Sequence, residues 1–136
     1  MLSHRDWLRL DADRRRLQRQ WEDLFASVDV LLCPVTPVTA FPHDPRPDLV
    51  ADIDHRIART IEVNGQPRPY LDQLVWTTVV GMARLPATVA PVGLSRSGLP
   101  VGVQIVGPAL ADRTTITFAG HLSGIVGGFV PPPAFA

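Results

Sequence analysis

Leu85-Pro86-Ala87-Thr88-Val89-Ala90-Pro91-Val92-Gly93 and Leu99-Pro100-Val101-Gly102-Val103-Gln104-Ile105-Val106-Gly107-Pro108 flank the short segment Leu94-Ser95-Arg96-Ser97-Gly98. Both flanks are β-branched runs bounded by Gly and Pro, and the Ser/Gly segment between them has turn chemistry. The stretch therefore predicts two strands joined by a turn. Ala87, Val89 and Val92, with Val101, Val103, Ile105 and Val106, leave almost no polar side. Such a run suits a sheet covered on both faces. Gln104 is the exception, and a buried amide must find partners or cost roughly 1–3 kcal/mol. Pro86, Pro91, Pro100 and Pro108 cannot donate to a ladder, so they are expected at strand ends, an edge or a bulge.

Outward from this pair, residues 70–85 read as a helix that follows Pro69 and is halted by Pro86, with Leu71, Leu74, Val75, Thr78 and Met82 on one face. Residues 112–126 read as another, capped by Asp112, with Ile116, Ala119, Leu122 and Val126 on a stripe. Gly127-Gly128 ends it, and Pro131-Pro132-Pro133 forbids continuation. At the other end of the chain, residues 3–28 form the clearest helical pattern. Trp7, Leu10, Leu17, Trp21, Leu24 and Val28 recur at three and four spacings, interrupted by Arg14, and Ser3 with Asp6 fits a capping box. Arg5, Arg9, Arg15, Arg16, Arg19, Glu22 and Asp23 then make a solvated face. Asp29-Val30-Leu31-Leu32-Cys33-Pro34 reads as a short buried strand, and the Pro-dense residues 35–47 as an ordered loop. Residues 48–60, mixed and weakly patterned, predict a helical turn or a surface excursion. Asn64-Gly65, between Thr60-Ile61-Glu62-Val63 and Gln66-Pro67-Arg68, suits the left-handed positions of a type I′ hairpin, with Pro67 and Pro69 keeping the second arm at an edge. No internal repeat or linker divides the pattern, and residues 1–136 are expected to form a single α/β domain.

Composition narrows the function. With 13 basic and 13 acidic residues the net charge is zero, which leaves no electrostatic footprint for nucleic acid or an anionic membrane. No stretch approaches the ~20 apolar residues of a membrane span. The single Cys33 precludes an internal disulfide and fits a reducing, cytoplasmic setting. His4, His43, His55 and His121 form no pair at metal-ligand spacing, so no metal is expected. Cys33 ahead of Pro34 reads as a packed thiol, and His43-Asp44 as a turn between prolines.

Gly98-Leu99-Pro100-Val101-Gly102-Val103-Gln104-Ile105-Val106-Gly107 resembles the closing motif of the amidase signature family, the Ser–Ser–Lys amide hydrolases. Leu85-Pro86-Ala87 with Val89-Ala90-Pro91-Val92-Gly93 is similar to the segment before it. The helix-to-strand passage ending in Asp29-Val30-Leu31-Leu32-Cys33-Pro34 also looks like that family. The resemblance implies an α/β/α layered mixed sheet, a partial amidase-signature fold corresponding to its C-terminal portion. It implies hydrolysis of a carboxylic amide C–N bond, on an amide-containing small molecule, without metal or organic cofactor. It marks Pro86, Gly98, Leu99, Pro100, Gly102 and Gln104 as motif residues, Gln104 holding neighbouring backbone. Trp76, Thr77 and Val80 would fall on the wall of the substrate pocket, although Trp76 reads more readily as a core tryptophan. Where the family often carries an Asn and a Gly shortly before the Leu-Pro-Ala step, this chain has Gly81 and Arg84.

The family's reaction needs a serine nucleophile, a second serine to relay its proton and a lysine base. All 13 basic residues are Arg, and Ser3, Ser27, Ser95, Ser97 and Ser123 include no adjacent pair. No catalytic residue is assigned, and Ser95 and Ser97 are assigned to a turn. The chain alone is expected to be inactive. A part-sheet exposes an edge and apolar faces, so self-association or pairing with the missing N-terminal portion is expected. A non-catalytic binding or assembly module derived from an amidase is the alternative.

Overall fold

In the computed structural model, residues 2–43, 54 and 57–132 are described. The chain runs through α1 (His4–Phe25), β1 (Leu31–Pro34), β2 (Thr60–Val63), β3 (Gln66–Pro69), a 3₁₀ turn (Tyr70–Leu74), α2 (Val75–Ala83), β4 (Ala87–Leu94), β5 (Pro100–Val106) and α3 (Asp112–Val126). The helical turn or excursion expected over 48–60 lies mostly outside the described residues, as do Asp44 and Pro133.

The two strands read from the central stretch pair antiparallel, and β1 joins on the other side of β5, so the sheet order is β1-β5-β4. Each proline has a place in it. Pro34 ends β1 and Pro100 opens β5, while Pro91 lies opposite Gly102 at a register shift that ends at Gly93. The Pro86 carbonyl accepts the Gly107 N–H at 3.0 Å, extending the ladder one step past β4. At the turn, Ser95 N–H donates to the Leu99 carbonyl at 2.8 Å, Gly98 N–H to the Ser95 carbonyl at 2.9 Å, and Leu99 N–H to Ser95 Oγ at 3.1 Å. Gly98 takes φ +80°, which a side chain would strain.

Register decides which layer each residue meets. Leu31, Cys33, Gln104, Val106 and Val89 share one face, and Leu32, Ile105, Thr88 and Ala90 the other. On the first face Cys33 and Val106 pack with Val80 of α2, joined by Phe25, Leu31 and Leu85. On the second, Thr115 of α3 is buried with its hydroxyl 2.8 Å from that of Thr88. Thr115 donates its one proton to the Asp112 carbonyl at 2.9 Å, so Thr88 is the donor between the two hydroxyls. Helices thus cover both faces, the layering that the unbroken apolar pattern required.

The Asn-Gly hairpin forms as read: Val63 opposes Gln66, and Asn64 and Gly65 take φ +52° and +75°. Ser3 caps α1, its Oγ accepting the Asp6 N–H at 3.2 Å. The Ser3 hydroxyl then donates to the Asp6 carboxylate, in place of the reciprocal side-chain-to-backbone bond of a full capping box. Two details depart from expectation. Ala111, not Asp112, caps α3, and Ile116 is exposed where Thr115 is buried. The face Leu71, Leu74, Val75, Thr78 and Met82 is exposed, and α2 buries Val80 and Ala83 instead.

Along α1, Asp11 accepts from Arg14 and Arg15, its neighbours three and four residues on, with Arg15 Nε at 2.8 Å. Hydrogen bonds from Arg14, then Arg15, hold its carboxyl below the usual carboxylate range. A depressed folded pKa stabilises above the unfolded value of about 4 and is lost as pH falls through the folded one. Carboxyl-carbon NMR should show Asp11 titrating below a free aspartate, moving upward in Arg14→Gln; no movement in that variant would disprove the pairing.

Candidate functional site

Where α1, β1 and α2 converge on the first face of the sheet, Trp21, Leu31, Cys33, Val75, Trp76, Val79 and Val80 line a pocket of ≈ 180 Å³. Three elements distant in sequence build it. Gln18 fixes α1 against α2 by donating its side-chain N–H to the Ala83 carbonyl at 3.0 Å. Arg84, in the left-handed conformation at φ +58°, ends α2 and turns the chain into β4. Its N–H donates to the Gly81 carbonyl at 3.0 Å, which closes the helix end.

At the floor, Cys33 is buried, and Gln104 Nε2–H donates to its Sγ at 3.3 Å. Gln104 is itself only 4% exposed, so this bond answers the need for partners raised by its burial. It holds a side chain on the neighbouring strand, where neighbouring backbone was expected. Among the described residues the wall has no carboxylate, imidazole or amine to take the thiol's proton. Chemically the pocket accepts an apolar group and offers little beyond that.

Of the pocket-wall residues named from sequence, Trp76 and Val80 reach this pocket and Thr77 does not. Thr77 bonds its own helix, its hydroxyl donating to the Leu74 carbonyl at 3.1 Å. Trp76 is 41% exposed, so it is not a core tryptophan in this chain. Trp21, Leu31 and Cys33 were not foreseen as its neighbours, because each comes from an element about 40 residues or more away in sequence. Of the motif residues, Pro86, Gly98, Leu99 and Pro100 set the ends of β4 and β5. Gly102 sits where a Cβ would lie 3.3 Å from Val89 Cγ1.

A second, more open hollow of ≈ 870 Å³ runs along Val38–His43 and Ala58–Glu62. Phe41 at its rim meets the Tyr70 ring edge-on, and the Arg59 guanidinium lies 4.5 Å from the centroid of Tyr70. Among the described residues no three of His, Cys, Asp and Glu come together as a metal would need. No helix among them is long and apolar enough to cross a membrane.

The Amidase family profile matches residues 1–116. The chain belongs to the amidase family. Its curated relatives include a glutamyl-tRNA(Gln) amidotransferase subunit of Brucella ovis (strain ATCC 25840 / 63/290 / NCTC 10512), 31% identical over 126 residues. The same subunit of Chelativorans sp. (strain BNC1) is 34% identical over 127 residues. In both cases the match covers 92% of this amidase-family chain and 22% of the relative, so the chain spans about a fifth of their length. Among solved structures, one described as "Crystal structure of amidase" superposes with a TM-score of 0.71 at 23% identity, over 93% of this chain and 26% of that one, and shows the fold. Another, described as "An unexpected vestigial protein complex reveals the evolutionary origins of an s-triazine catabolic enzyme", gives 0.69 at 26% identity, over 93% of this chain and 25% of its own. The corresponding glutamyl-tRNA(Gln) amidotransferase subunit from Thermotoga maritima gives 0.52 at 29% identity, over 75% and 18%.

Proposed function

We propose that this chain is the C-terminal part of an amidase, a hydrolase of carboxylic amide C–N bonds. In that reading residues 1–136 act as a single domain that supplies sheet core and part of the substrate-pocket wall, with Trp76 and Val80, and not Thr77, facing an amide-containing small molecule. The observation that carries it is a family match over residues 1–116 in a chain that spans only 22% of relatives such as the Brucella ovis subunit. Nucleophile, relay and base come from the rest of the amidase domain, because the chain holds no lysine and no adjacent serines. No cofactor enters, and the setting is cytoplasmic. The absent lysine also favours a second reading, a non-catalytic assembly module that kept the fold.

Ammonia release from glutamine, acetamide and benzamide tests the first half: the chain alone should match a heat-treated control, and clear turnover would overturn the reading. A chimera tests the second. The intact Brucella ovis subunit, with its 126 matched residues replaced by this chain, should retain amide hydrolysis. A folded but inactive chimera would favour the assembly module.

A further inference from the structure

Val75-Trp76-Thr77-Thr78-Val79-Val80-Gly81-Met82-Ala83, the whole of α2, contains no charged residue. One side of it, Val80 and Ala83, is buried. The other side continues a stripe from the 3₁₀ turn: Leu71, Leu74, Val75, Val79 and Met82 lie close along it, each between 41% and 55% exposed. A helix that is apolar all round belongs in an interior, and half of this one faces outward. A lipid surface would call for a basic border beside the stripe. The polar positions on and beside it are instead Asp72, Gln73, Thr77 and Thr78, with Arg68 held by Asp72 at 2.9 Å.

Resting on the fragment reading above, we propose that this stripe is the surface on which the remainder of an amidase domain docks, turning α2 into an interior helix. The occupant follows from two observations taken together. The stripe asks for a close-packed apolar partner, and about four-fifths of the length of the curated relatives lies outside the part that this chain matches. The ≈ 180 Å³ pocket opens beside the stripe and shares Val75 and Val79 with it.

Tagged chain, co-expressed with the Brucella ovis subunit from which the 126 matched residues have been removed, provides the test. The wild-type chain should capture that polypeptide. Val75→Asp and Met82→Asp should lower capture at least tenfold, and Ile125→Asp, at an 83% exposed position on α3, should not. Met82 in the wild-type complex should oxidise several-fold more slowly than in the chain alone, a readout that needs no variant. Undiminished capture by Val75→Asp with Met82 oxidising as before overturns the docking surface and leaves the fragment reading standing. No capture by wild type overturns both. A cross-linked homodimer abolished by Val75→Asp would give the stripe to a second copy and overturn the proposal. So would a lowered melting temperature of isolated Val75→Asp, because the stripe would then be packed within the chain.

Discussion

Ile105→Ala is expected to remove a large part of the chain's folding stability in water at room temperature. Ile105 is fully buried in β5, the middle strand, between Leu32 and Thr88 and beneath α3. Removing three carbons there loses their transfer free energy and opens a cavity that two layers of secondary structure cannot collapse, about 2–5 kcal/mol. Domains of this size have on the order of 5–15 kcal/mol in total. The described part of this chain buries only seven apolar side chains, so its reserve belongs at the bottom of that range. Leu32→Ala is the control, because Leu32 lies on the same row of the sheet yet is 47% exposed at the edge. Urea titration followed by circular dichroism should show the midpoint collapse in Ile105→Ala and shift little in Leu32→Ala. Equal midpoints would mean that the sheet centre is not where the stability resides.

Gly107→Ala is expected to cost about 1–3 kcal/mol through crowding. Its Cβ would stand 2.7 Å from Thr115 Cγ2, with the Ala111 carbonyl oxygen at 3.5 Å and Pro86 Cγ at 3.9 Å. The nearest atom is a methyl at the end of a short side chain, but Thr115 cannot swing away. It is fully buried, and its hydroxyl is tied to Thr88 and to the Asp112 carbonyl. The absence of a side chain at 107 therefore sets how closely α3 approaches the sheet. Thr115→Ser removes the offending methyl and keeps the hydroxyl, so the double variant should melt well above the sum of the two single effects. Strict additivity in that cycle would place the cost elsewhere.

Local chemistry made much of the fold legible. Asn64-Gly65 specified its turn because few residue pairs accept two consecutive positive φ angles, and Pro91 marked the irregularity in β4 because it has no N–H. The β-branched run 101–106 identified the central strand, and register then placed the helices on either side. What periodicity does not carry is the identity of a neighbour. Leu71, Leu74, Val75 and Met82 were readable as one face, yet nothing in their spacing says whether the mate of that face lies within the chain. The pocket failed to show for the same reason, since Trp21, Cys33 and Trp76 meet only through tertiary packing. Gln104 stood out as a buried amide, but its acceptor, Cys33 Sγ, depends on the pairing of β1 with β5 across 71 positions of sequence.

None of the 22 residues of α1 is buried, and Trp7, Leu8 and Leu10 near its start are more than half exposed. Among the described residues, its second half grips the rest through Gln18, Trp21 and Phe25. The first turns carry the Ser3 cap, the His4–Trp7 ring stack and the Asp11 pairings, so they are expected to open before the strands do. A protease will cut there before it reaches the sheet, and the fragment it releases will begin in the second half of that helix.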